Sequence, residues 1–351
     1  MKKFLSLLLA AAMFLALLTG CSGQKVLDAS KDGEKTDAQI PTAGGRDLKL
    51  SLPVAIGSDT YNQAVAVKEY IEEHTNGELT VTIYPANQLG DWTQVFDELM
   101  MGTIDMAISS VGENYDPTLC ASILAYLSYD YTSCAKYLSS DSFLYKHMEQ
   151  ALDNLGIKFL GFSMSGFDGV GTKAPLKDPA VPGADKDTLI RVSSSDSTKF
   201  AVEALGFRTS TLPFTDTYSS IQTGVVDGWI GAPAYEHYLS FRDVEDYYYA
   251  YNLYAEVLDI MVSKTVWDSF TPEQQTVIEE AMEQAAATSL VDAEAGDELY
   301  MQKLEEADIT VVRFSEDELS AFAEYVRENA WPKLEKTYGA EFMTELRDSL
   351  S

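Results

Sequence analysis

Between residues 48 and 109 short apolar strands alternate with amphipathic helices, and this alternation restricts the fold more than any other feature. Leu48, Leu50 and Leu52 alternate with polar residues before Pro53, which predicts a strand ending there. Ser58 or Asp59 is placed to cap a helix carrying Val65, Val67, Tyr70 and Ile71, and Asn76-Gly77 offers a left-handed stop. A strand over 78–84 follows, with Leu79, Val81 and Ile83 on one face. Asp91 caps a second helix that Gly102 cuts, and a buried strand spans 104–109. Such an order implies a parallel sheet with crossover helices. Ligands of these sheets collect at the carboxyl ends of the strands, here Pro53, Trp92 and Ser109-Ser110.

A second alternating set follows Phe159-Leu160-Gly161-Phe162, with a strand over 188–192, a helix through 200–205 and a stop at Gly206. The segment 221–228 echoes 99–106: each is a helix end, a glycine and a short apolar strand containing an Asp. Two similarly built lobes are therefore expected, and 351 residues suffice for two cores. After a strand over 257–263, Thr271-Pro272-Glu273-Gln274 forms a capping box with proline at the first helical position. Val277, Ile278, Ala281, Met282 and Ala285 continue at helical spacing with no breaker before Gly296. Even to that point the helix would reach roughly 35 Å, enough to brace two lobes.

The N-terminus reads separately. Lys2 and Lys3 precede an unbroken apolar run over 4–18 that closes on Leu18-Thr19-Gly20-Cys21. A basic start, a short apolar core and small residues at the cut describe a secretory signal, and the cysteine makes it resemble a bacterial lipoprotein signal. Residues 1–20 are then the signal peptide, Cys21 carries lipid at the membrane surface, and 21–46 form a polar tether. The formal net charge of −30 repels phosphate backbones and anionic headgroups, so no nucleic acid partner is expected. Cys120 and Cys134 either close a disulfide in an oxidising compartment or pack as two small buried hydrophobes.

From Leu48 onward the chain resembles the solute-binding proteins of TRAP transporters, the tripartite ATP-independent importers of organic acids. Three stretches carry the likeness. Residues 67–106 hold T-x-G, Y-P-x-x-Q-L-G and G-x-I-D-M. Leu189-Ile190-Arg191-Val192 precedes Leu205-Gly206, then Leu212-Pro213-Phe214-Thr215-Asp216-Thr217-Tyr218 and the V-D-G element at 226–228. Residues 262–286 match S-K-x-x-W-x-x-F-x-x-E-x-Q before the brace helix.

The resemblance implies an α/β, two-lobed periplasmic-binding-protein-like clamp, with mixed sheets, crossover helices, hinge strands and a long C-terminal brace helix. Lobe I would comprise 47–168 plus about 257–296, and lobe II 169–256 plus about 297–351. It also implies a monomer that works without chemistry, without cofactor or metal, and delivers a small carboxylate ligand to membrane permease subunits. Arg191 falls on the family's carboxylate-binding arginine, and a guanidinium fork matches a carboxylate bidentately. Without the surrounding motif, a salt bridge at a strand end would be the plainer reading. Phe214 falls on the family's aromatic wall, with core packing under the Pro213 turn as its alternative.

Departures from the pattern are informative. Asp168 stands where many members carry a second Arg, Gly231 replaces an Asn, and Trp92 and Trp229 replace smaller or polar residues. Sialic acid, C4-dicarboxylate or plain keto-acid binding is therefore not expected. The residues point to a monocarboxylate with an apolar or aromatic body, with an amine or hydroxyl near Asp168. The alternative is that both Trp residues line the lobe interface. The tyrosine-rich stretch 247–254 and Glu256 reach the ligand on one reading and pack the hinge on the other.

Two other readings compete. Gly161-Phe162-Ser163-Met164-Ser165 resembles a hydrolase nucleophile elbow but lacks glycine at its fifth position. The binding lipoprotein of an ATP-driven importer would share the signal and the two lobes. The V-D-G element and the brace helix favour the TRAP type.

Overall fold

The computed structural model describes residues 45–350 apart from Glu113, so the signal segment, Cys21 and most of the tether lie outside the described residues. Strands β1 (Arg46–Ser51), β2 (Leu79–Tyr84) and β3 (Met106–Ser109) are joined by the helices Asp59–His74 and Trp92–Met101. They are parallel, with β1 between β2 and β3. The remaining strands are β4 (Ile157–Thr172), β5 (Leu189–Val192), β6 (Arg208–Thr211), β7 (Gly228–Pro233), β8 (Tyr247–Ala250), β9 (Ala255–Ser263) and β10 (Thr310–Arg313). The strand order is β2-β1-β3-β9-β4-β7-β5-β6, with β8 beside β4 and β10 beside β8.

Local signals determine the ends of the early elements as the sequence predicts. Ser58 accepts from the Tyr61 N–H, and Asp91 forms a capping box with Gln94. Gly102 closes its helix in the left-handed region at φ 74°.

The two lobes share β4. Its first part pairs antiparallel with β9, and its second part pairs with β7 and β8. Sixteen residues of strand, nearly all buried, thus run through both sheets. Gly161 and Gly166 lie at register shifts in the pairing with β9 and take φ of 133° and 135°. They bend the strand as bulges rather than ending it. The Ser163 of the apparent elbow is wholly buried inside β4 and donates to Gln63, so it sits on no exposed turn.

The brace helix spans Pro272–Glu306, with Thr271 and Gln274 forming the expected capping box. It runs through Gly296 rather than stopping there. A side chain at that position would meet Asp59 Oδ2 at 2.9 Å, so glycine permits close approach to the first helix. At 1.5 Å per residue the helix is about 52 Å long. Its polar side chains complete the second bulge of β4: Ser289 Oγ accepts from the Met164 N–H at 3.0 Å, and Asp297 Oδ2 accepts from the Phe167 N–H at 2.9 Å. Those amides would otherwise be orphaned in a dry interior.

The C-terminal stretch divides between cores. Phe322 and Val326 pack in the second lobe with Ile190 and Tyr251, whereas Leu334, Met343 and Leu346 join the first-lobe core of Phe96, Leu144 and Phe159. The expected assignment of all of 297–351 to lobe II thus splits near Trp331, whose indole donates to the Ala125 carbonyl.

Candidate functional site

A cavity of about 270 Å³ opens where the carboxyl ends of the strands of both sheets face each other. Pro53 after β1, Ser110 after β3 and Trp92 at a helix start form one side; Arg191 on β5, Phe214 and Gly231 on β7 form the other. Alternation along β9 and the residue before it turns Tyr254, Glu256 and Leu258 to the same face, and these form the floor.

Arg191 is 3% exposed. Its Nε donates to the Leu212 carbonyl at 2.9 Å and Nη1 to the Ile230 carbonyl at 3.2 Å, which fixes the plane of the group. Two of five N–H donors are thereby used, leaving the others for the cavity that the side chain lines. Burial pulls its pKa down to about 10, opposed by Tyr254 and Asp168, so it stays cationic at neutral pH. Its Cζ lies 5.7 Å from the centroid of the Phe214 ring, a cation–π arrangement. Gly231 has φ of 134°, and a side chain there would come within 3.0 Å of Arg191 Nη1. Glycine at 231 therefore leaves the guanidinium its place.

Two residues expected to meet the ligand do not line the cavity. Trp229 is fully buried, two residues back from Gly231 and so about 7 Å deeper along β7. Its ring stacks on His237 at 4.2 Å and Phe241 at 4.0 Å, and Nε1 donates to Glu245 Oε2 at 2.9 Å. Phe214 roofs it at 5.9 Å, so Trp229 supports the wall without forming its surface. Asp168 is also fully buried, behind the cavity rather than on it, because its strand position pairs with Pro233 after the bulge at Gly166. Neither of its oxygens has a hydrogen-bond partner of good geometry, although Tyr254 and Arg191 lie close enough to favour its charged form.

Sequence reasoning did not single out Tyr235 or Glu236, which line the cavity, and it left Tyr254 and Glu256 open between ligand and hinge. The structure places Tyr254 and Glu256 on the floor, and Tyr254 also packs in the second core with Tyr249 and Tyr251. The two cysteines have different surroundings: Cys120 Sγ donates to the Val111 carbonyl, and Cys134 Sγ lies 3.3 Å from both Tyr137 Oη and Met164 Sδ.

The interior around the site is acidic. Burial pushes Glu256 up to about 8 and Asp297 up to about 7. Burial, then repulsion from Glu256 and Asp297, raises Asp168 well above the usual carboxylate range, and Asp259 is raised by burial and Glu256. Carboxyls whose folded-state pKa is raised take up protons on folding. Their stabilisation is full below the ordinary carboxyl value and is lost as pH rises through their folded values. The melting temperature is therefore expected to fall between pH 5 and pH 8, the window set by Asp297 and Glu256. Thermal melts followed by circular dichroism check this, and a melting temperature that climbs over that range contradicts it.

Comparison with known proteins bears on this architecture. Residues 53–337 match the family model described as bacterial extracellular solute-binding protein, family 7. The chain is 25% identical over 267 residues to the C4-dicarboxylate-binding periplasmic protein DctP of Rhodobacter capsulatus, covering 75% of this chain and 78% of the relative. A TRAP periplasmic solute binding protein from Desulfovibrio salexigens, solved with bound orotic acid, gives a TM-score of 0.77 at 18% identity, over 87% of this chain and 98% of that one. Another, from Sulfitobacter sp. NAS-14.1 with bound β-D-galacturonate, gives 0.76 at 22% identity, over 87% and 99%. The structural likenesses agree on the fold, a two-lobed α/β clamp.

Proposed function

We infer, from a chain that belongs to the bacterial extracellular solute-binding protein family 7, that this protein captures a small organic acid outside the cytoplasm for a TRAP permease. One observation carries the reading most: a cationic guanidinium, pinned by two backbone carbonyls, presents its remaining donors to a cavity lined from both sheets. In the open form Arg191 meets a carboxylate from solvent. Closure of the lobes about β4 and β9 then removes water from the pair and strengthens it. Phe214 and Trp92 supply apolar surface to the body of the ligand, and Pro53, Ser110 and Gly231 shape the ends of the cavity. The closed protein docks as a monomer on the permease subunits, where an ion gradient supplies the energy.

Thermal denaturation in the presence of a panel of organic acids tests the capture. A ligand at 100 times its dissociation constant stabilises by about 2.7 kcal/mol, which raises the melting temperature by several degrees. A panel spanning mono- and dicarboxylates, sugar acids and amino acids that leaves the transition unmoved would remove the basis for the reading.

We also assign lipid attachment to Cys21, on the strength of the signal-like segment ahead of it. Labelled fatty acid is expected to enter the wild-type protein in cells and to be absent from Cys21→Ala. Equal labelling of the two, or none of either, excludes the anchor.

A further inference from the structure

Charges around the cavity do not balance. Arg191 is the one Lys or Arg among its described lining residues, whereas Glu236 and Glu256 both line it. Behind them lie Asp168, neither oxygen of which has a hydrogen-bond partner of good geometry although Tyr254 is close, and Asp259, whose Oδ1 lacks such a partner. The Glu256 carboxyl opens onto the cavity floor, and no described residue donates a hydrogen bond to it. A ligand carboxylate satisfies Arg191 and leaves Glu256 without a donor; a second ligand carboxylate would find no second Lys or Arg among the described lining residues. The geometry is compact. A side chain at Gly231 would lie 3.0 Å from Arg191 Nη1 and 3.9 Å from Tyr254 Oη, so these groups adjoin, and Glu256 is the next residue on the Tyr254 face of the strand. Trp92, Phe214, Tyr235 and Tyr254 add aromatic faces and edges of the kind that hold organic cations.

We propose that the acid captured here also carries a cationic nitrogen, which Glu256 receives while Arg191 holds the carboxylate, so that the cognate ligand is an amino acid or related zwitterion and not a dicarboxylate. This rests on the reading of Arg191 as the carboxylate anchor. Asp168 from β4, Asp259 from β9, Tyr235 and Tyr254 are the titratable groups near enough to Glu256 to feel its charge, and Arg191 is the cation beside Asp168 and Tyr254. In the empty site, burial keeps Glu256 largely protonated at pH 7. Accepting an ammonium ionises it, and the carboxyl proton passes to solvent as the new ion pair forms.

The experiment compares matched pairs by calorimetry on the whole protein: phenylalanine with 3-phenylpropionate, 5-aminopentanoate with pentanoate, and aspartate with succinate. At least one amine-bearing member is expected to bind tenfold or more tighter than its partner, with close to one proton released at pH 7, measured in buffers of differing ionisation enthalpy. Glu256→Gln is expected to bring that affinity ratio near one and to abolish the proton release, changes that a merely structural role would not produce. Succinate or the desamino acids binding as well as or better than their amine-bearing partners overturns the inference and leaves organic-acid capture standing. Failure of every acid, with or without nitrogen, overturns both.

Discussion

Arg191→Met is expected to weaken the binding of every acid the protein retains by between about thirtyfold and several thousandfold. The range follows from the 2–5 kcal/mol that truncating one partner of a buried, hydrogen-bonded charge pair costs, at about 1.4 kcal/mol per tenfold. A large effect is expected because a carboxylate in this cavity meets no second cation among the described lining residues. Arg191→Lys separates charge from shape: the ammonium keeps the field but cannot hold the Leu212 and Ile230 carbonyls while presenting a planar fork. Its affinity should fall between the two. Calorimetry of binding, paired with melting curves to establish that each variant is folded, decides the matter. An Arg191→Met protein that is folded and binds with wild-type affinity would refute the anchor.

How far the sequence reveals this site depends on the range of the interactions involved. Ser58, Asp91, Thr271 and Gly102 act within one helical turn, so their caps are readable from neighbours in the chain. Arg191, Phe214 and Gly231 could be placed because the family motif preserves their surroundings, and the carboxyl ends of β1 and β3 put Pro53 and Ser110 beside them. Asp168 could not be placed this way. Gly166 forms a bulge that no local pattern announces, and the extra residue changes which side chains of β4 face the cavity. The glycine works only because Pro233 and Asp297, distant in sequence, pack where its side chain would be, at 2.7 and 2.5 Å. Glu256 shows a related limit. Its role is set by a two-residue alternation counted from a hinge whose register is fixed by β4, a partner about ninety residues away in the chain.

Trp229→Ala should cost about 3–5 kcal/mol of stability, the usual penalty for emptying a buried aromatic site. The loss extends beyond area. The indole is held between His237 and Phe241 and donates to Glu245, which also bonds His237 Nδ1 at 2.9 Å, so its removal opens a cavity beside a buried His–Glu pair. Trp229→Phe keeps most of the stacking and loses the hydrogen bond to Glu245, and is expected to cost about 1.5–3 kcal/mol for that bond to a charged group. At roughly 2–4 °C per kcal/mol for domains of 150–250 residues, the Ala variant should melt about 6–20 °C below wild type. Ligand affinity should fall less than in Arg191→Met, because Phe214 loses its backing but Arg191 keeps both of its carbonyl anchors. The two variants thus have opposite signatures: large loss of binding with modest loss of stability at 191, and the reverse at 229. A Trp229→Ala protein that melts within a degree or two of wild type yet no longer binds would instead put the indole on the ligand surface, where the sequence pattern alone had suggested it.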